Sequence, residues 1–154
     1  MADDTGDLER LAARLAGGTA EDRGAAAERL GRAGPEAAGA AVALVRACGD
    51  ADERVREWCV AALEDLGGPP SGAIPQLIAL AGDREPLTAY WAITLLGRSG
   101  QDAAAAVPAL AACLTANDPA VAQRAAWALG RIGPAAAAAR GPLAAAAGSA
   151  DPRL

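Results

Sequence analysis

The chain contains no histidine, no lysine and no phenylalanine. Those absences remove whole classes of chemistry. Without histidine there is no Ser-His-Asp triad, no Cys-His pair and no HExxH zinc site. Without lysine there is no Walker A phosphate loop, no Schiff-base lysine and no Ser-Lys pair. Cysteine is limited to Cys48, Cys59 and Cys113, an odd number without paired spacing, which argues against a disulfide framework. Long apolar runs are missing too. The longest uncharged stretch, Leu66 to Gly82, is broken by Gly67, Gly68, Pro69, Pro70 and Gly72, whereas a membrane span needs about 18 apolar residues. The opening MADDTGDLE is acidic, where a signal peptide is basic and is followed by an apolar stretch. A soluble, cytoplasmic protein is expected.

What fills the chain instead is alanine, 46 of 154 residues. Leu, Ile and Val number 17, 4 and 6. Alanine is the strongest helix former, and strand-favouring residues are few, so the chain reads as all-α, with helices packed at close range. The length fits one domain. All 14 basic residues are arginine and the formal net charge is −5. An acidic balance opposes general nucleic-acid binding, which needs a basic face for phosphates. The charge is uneven: residues 1–66 carry 14 acids and 8 Arg, residues 67–154 carry 5 acids and 6 Arg.

A 33-residue period organises the whole sequence. Leu11, Leu44, Leu77, Leu110 and Leu143 keep that step, as do Leu30, Leu63, Leu96 and Leu129. So do Gly34, Gly67, Gly100 and Gly133, and the polar series Thr19, Asp52, Glu85, Asp118 and Asp151. Leu-Gly-Arg recurs at residues 30–32, 96–98 and 129–131, with Leu63-Glu64-Asp65 in the second copy. Each unit reads as two antiparallel helices. In the fourth, Val107, Leu110, Cys113 and Leu114 form the apolar stripe of the first helix, with Pro108 as a kink or the true start. Asp118 then caps a second helix opened by Pro119, whose apolar face is Val121, Ala125, Ala128, Leu129 and Ile132. Gly133 closes it.

The run Asp118-Pro119-Ala120-Val121 through Ala125-Ala126-Trp127-Ala128-Leu129-Gly130-Arg131-Ile132-Gly133 resembles the short HEAT-like repeat also found in relatives of phycobilisome (bilin) lyases. The ankyrin and tetratricopeptide signatures are missing. The resemblance covers about residues 7–154. It implies a right-handed α-solenoid of about four and a half two-helix repeats, with second helices lining the concave surface. The expected repeats are 7–34, 35–67, 68–100, 101–133 and a partial 134–154, with residues 1–6 disordered. The last unit is without its second helix, so either the chain is expected to be a piece of a longer array, or the Ala-rich face of residues 142–149 is covered by another chain, self-association included.

Projected on helical wheels, the non-core columns of the second helices gather every aromatic residue of the protein. The candidate partner-binding residues are Trp58, Leu87, Tyr90, Trp91, Thr94, Arg98, Gln123, Arg124, Trp127 and Arg131. Trp, Tyr and Arg are the usual anchors of protein interfaces. Tyr90 and Trp127 are expected on the concave side, whereas Trp58 and Trp91 either join them or fill gaps at the core edge. The expected function is a non-enzymatic scaffold that captures an acidic or mixed peptide or protein surface, with no catalytic residues, cofactor or metal. Asp50-Ala51-Asp52-Glu53 reads as a capped turn, better than as a cation site. The resemblance implies one alternative, a bilin lyase-like enzyme or chaperone. In it Tyr90, Trp58 and Trp91 would stack on a tetrapyrrole and Cys59 would be a thiol handle.

Overall fold

A computed structural model describes residues 2–149 of the chain. Among the described residues every regular element is helical: α1 (Ala2–Gly17), α2 (Ala20–Ala33), α3 (Ala41–Ala47), α4 (Glu53–Asp65), α5 (Ile74–Leu80), α6 (Pro86–Arg98), α7 (Val107–Cys113), α8 (Pro119–Ile132) and α9 (Arg140–Ser149). They follow the expected helix-pair repeat. The chain divides into two compact units, Met1–Gln76 and Leu77–Leu154, where an unbroken period had suggested a single domain.

The first unit packs α1 against α2 and α3, and α4 against α2 and α3. The second packs α8 against α6 and α7, with α9 touching α7. The periodic leucines are the reason. Leu11, Leu44, Leu77 and Leu110 are buried, as are Leu30, Leu63, Leu96 and Leu129, and Leu143 is half-buried. Between them the layers are filled with methyl groups. Ala27, Ala37, Ala92, Ala103, Ala106, Ala125, Ala128 and Ala139 have no exposed surface at all.

Local signals fix the element ends. Thr19 accepts from the Asp22 N–H at 3.1 Å while Asp22 returns the bond to the Thr19 N–H, a reciprocal capping box. Asp52 accepts from Arg54 and Val55, and Asp118 from Ala120 and Val121. At the third copy the cap differs. Glu85 makes no side-chain cap bond, and its own N–H donates instead to Asp83. Asp151 lies outside the described residues. Gly34, Gly67, Gly100 and Gly133 all have positive φ, between 57° and 79°, the conformation that a side chain with a Cβ resists. That single backbone requirement accounts for the glycine period.

Two expectations are revised. Of residues 1–6, expected to be disordered, 2–6 belong to α1, which begins at Ala2, and Met1 lies outside the described residues. The first helices of the later pairs also open through 3₁₀ turns, Gly34–Ala40, Ser71–Ala73, Gly100–Ala106 and Gly133–Ala139, before α-helical bonding begins. Pro108 accordingly marks a start, at the N-terminal turn of α7. In α9, Ala144, Ala145 and Ala147 are exposed. Among the described residues no helix is long and apolar enough to cross a membrane.

The first unit is also cross-braced by charge. Arg23 donates to both oxygens of Asp50, at 2.6 and 3.0 Å, and Arg56 donates to the Asp50 carbonyl. Asp50 therefore joins one repeat to the next, and Asp52 is spent on the α4 cap.

Candidate functional site

All the expected contact residues except Trp58 lie in the second unit, on α6 and α8. These helices pack side by side, and Gly97 decides how close they come. A Cβ at Gly97 would stand 3.0 Å from Trp127 Cε3 and Cη2 and nearer still to Cζ3. The indole of α8 therefore rests against the α6 backbone in space that any side chain would occupy. Trp127 remains 38% exposed all the same.

One turn before Trp127, Arg124 brings its guanidinium to 4.9 Å from the Trp127 ring and 4.5 Å from the Tyr90 ring of α6. It also donates to the Tyr90 hydroxyl. Both rings offer their negative faces to the cation, so Arg124 is held by two aromatic contacts and a hydrogen bond. Tyr90 meets Trp91 edge to face, with centroids 5.7 Å apart and planes at 84°. Arg98 lies 5.7 Å over Trp91. The structure thus brings Tyr90, Trp91, Arg98, Arg124 and Trp127 into one cluster.

Two members of the expected set are not surface residues. Trp91 is 6% and Thr94 3% exposed. Trp91 is buried against Tyr90 and Arg98, and the Thr94 hydroxyl donates to the Tyr90 carbonyl at 2.8 Å, which satisfies it inside the fold. The buried face of α6 is broad, running from Trp91 without interruption to Gly97, wider than a single apolar stripe. Leu87, Tyr90, Arg98 and Arg124 are half-buried, and Gln123 and Arg131 are exposed. Trp58 belongs to the first unit, half-buried, with its Cε3 3.4 Å from the position of a Cβ at Gly31.

Sequence reasoning missed Gly97. A glycine inside a helical pattern is unfavourable unless another group comes close, and Leu96-Gly97-Arg98 carried that signal. What sits on it, Trp127, could not be paired with it from the wheel alone.

Charge separates the second helices into two kinds. In the first unit, acids and arginines answer one another: Arg32 and Arg54 both reach Glu28, at 2.6 and 3.3 Å, and Arg29 reaches Asp7 at 2.5 Å. In the second unit, α6 and α8 carry Arg98, Arg124 and Arg131 and not one acid.

Elsewhere in the second unit a cleft of about 820 Å³ is lined by Ile78, Ala81, Arg84, Ala112, Cys113 and Asn117, among others. Three of its polar groups already serve the fold. Asp83 and Asp118 accept backbone N–H bonds there, and Cys113 Sγ donates to the Ala81 carbonyl.

The three cysteines are free and buried. Burial is the main cause that pushes the Cys59 thiol up to about 12, with the Asp50 charge adding to it. Cys48 and Cys113 are raised as well, again through burial first. A thiol handle needs an accessible thiolate. Cys59 has no exposed surface, so the role that the bilin-lyase alternative gave it is withdrawn.

The family described as HEAT repeats matches residues 74–154. Among solved structures, one engineered protein superposes with a TM-score of 0.56 at 24% identity, over 92% of this chain and 68% of that one. A designed armadillo repeat protein, solved in complex with the peptide (KR)4, gives a TM-score of 0.58 at 21% identity, over 94% of this chain and 72% of that one. Among curated proteins none matches. The structural likenesses bear on fold: an all-α architecture of stacked helix pairs.

Proposed function

Because the chain belongs to the HEAT repeat family, we propose that it is a non-enzymatic scaffold that binds a partner protein or peptide on the surface of its second helices. The observation that carries this reading is the cluster on α6 and α8. Trp127 is exposed although it is large and apolar, and it stands beside an arginine already fixed by two rings. Rigid aromatic and guanidinium groups lose little freedom on binding, which favours them as anchors.

The contact residues we assign in the second unit are Leu87, Tyr90, Arg98, Gln123, Arg124, Trp127 and Arg131; Trp58, half-buried in the first unit, is a separate candidate. Trp91 and Thr94 support them from within. That a designed armadillo repeat protein was solved with a peptide supports a peptide as one form of partner. The lack of histidine and lysine and the three buried thiols favour binding over catalysis. We also read the protein as cytoplasmic, in keeping with free cysteines.

Selection of a random displayed peptide library on the folded protein tests this. Sequences enriched by the wild type should be lost on a Tyr90→Ala, Trp127→Ala double variant that keeps its helical circular dichroism. Equal enrichment on both proteins would remove the cluster as the site.

A further inference from the structure

This inference rests on the binding reading above and names the partner. The cationic face of α8 has no counter-charge on its own helix, which holds Arg124 and Arg131 and no carboxylate. The other described acids of the unit, Asp83, Glu85, Asp102 and Asp118, sit at turns and helix starts, and Asp83 and Asp118 are engaged by backbone N–H groups.

The geometry of α8 sets the spacing. Arg124, Trp127 and Arg131 fall at i, i+3 and i+7, so they share one face. Arg124 and Arg131 stand two turns apart, about 10.5 Å along the axis, with the exposed indole between them. A guanidinium has five N–H donors around its edge. Stacking on rings and one bond to the Tyr90 hydroxyl leave other edge donors of Arg124 available to a carboxylate, which they fit in bidentate fashion.

We infer that the α6–α8 face binds an acidic helix whose two carboxylates, two turns apart, pair with Arg124 and Arg131 while an apolar side chain between them covers Trp127. Such a partner repeats the spacing of α8 with opposite charge. A helix with Glu, then Leu four residues on, then Glu three beyond that places all three groups on one side. Charge complementarity selects this occupant over a basic segment such as (KR)4, which would meet the like charges of Arg124 and Arg131.

The test uses the full chain and a helical alanine-based peptide of about 20 residues, long enough to hold its helix, carrying Glu-x-x-x-Leu-x-x-Glu. Matched peptides carry Gln or Lys in place of both Glu. Binding is read by calorimetry and by tryptophan fluorescence. The Glu peptide should bind, the Gln peptide about tenfold more weakly or worse, and the Lys peptide not at all. Arg131→Gln, at an exposed position that leaves the Arg124 cluster intact, should weaken the Glu peptide by about tenfold. Arg131→Glu should move the preference toward the Lys peptide. If Gln or Lys peptides bind the wild type as well as the Glu peptide, and Trp127→Ala abolishes that binding, the acidic partner is refuted while the scaffold reading stands. If no peptide of the set binds, the acidic-helix inference fails, and the display selection decides the broader reading on its own.

Discussion

Gly97 and Gly130 occupy the same place in successive repeats, yet alanine should act on them in opposite directions. At Gly130 a Cβ meets nothing within 4 Å. Gly130→Ala should therefore show the ordinary helix gain, about 0.5–1 kcal/mol of added stability. At Gly97 the same methyl lands on the Trp127 ring. The indole must swing away, giving up its contact with α6 and its share of Arg124, a cation–π term of about 0.5–1 kcal/mol at a partly exposed site. Overpacking of this kind costs about 1–3 kcal/mol, which outweighs the helix gain. Gly97→Ala should thus destabilise by about 1–2 kcal/mol, leaving the two variants about 2 kcal/mol apart. Urea titration followed by circular dichroism measures this, and fluorescence of the Gly97→Ala protein should shift to the red as the indole meets water. The decisive arm is Gly97→Ala placed on Trp127→Ala. With the ring gone, the methyl should now stabilise, a non-additivity of about 2 kcal/mol. Equal and same-signed effects at Gly97 and Gly130, in the presence of Trp127, would refute the close approach and the account of the cluster built on it.

Other outcomes follow from the ion pair and the thiols. The hydrogen bonds from Arg23 are the first cause that holds the Asp50 carboxyl below its ordinary value. Its contribution to stability is therefore whole above the ordinary carboxylate pKa near 4 and is lost as pH falls through the depressed value in the folded chain. Asp50→Asn should lower the stability of the wild type at neutral pH and flatten its decline in acid, as seen in urea midpoints measured between pH 7 and pH 2. Iodoacetamide at pH 8 should label none of Cys48, Cys59 and Cys113 in the folded protein and all three in denaturant, by intact mass. Labelling of Cys59 under native conditions would contradict its complete burial.

The repeat was legible because its markers are backbone and core requirements. Leucines at a fixed step are buried in every described copy or nearly so, and the closing glycines adopt a conformation that glycine alone enters easily. Asp118 and Asp52 cap as their sequence position implies. The candidate site was legible in outline, since Tyr90, Arg124 and Trp127 do meet. Its details were not. A wheel assigns each residue one direction, but alanine-lined layers approach so closely that α6 is covered well beyond its apolar stripe, and Trp91 and Thr94 go inside with it. Nor does the pattern distinguish 3₁₀ from α bonding in segments such as Gly133–Ala139, because alanine accepts both. The division into two units leaves no mark either, as the period runs through it unchanged.

Where alanine methyls fill the layers between the leucines, the usual mutational asymmetry is reversed. In leucine-rich interiors the damaging changes are truncations, which leave holes. Here Ala27, Ala92, Ala125 and Ala128 have only one methyl group to lose, and each is fully enclosed. Enlargement is the vulnerable direction: the two extra carbons of valine have no exposed space to enter at these enclosed sites, so a substitution that looks conservative by hydropathy, alanine to valine, is poorly tolerated by this architecture.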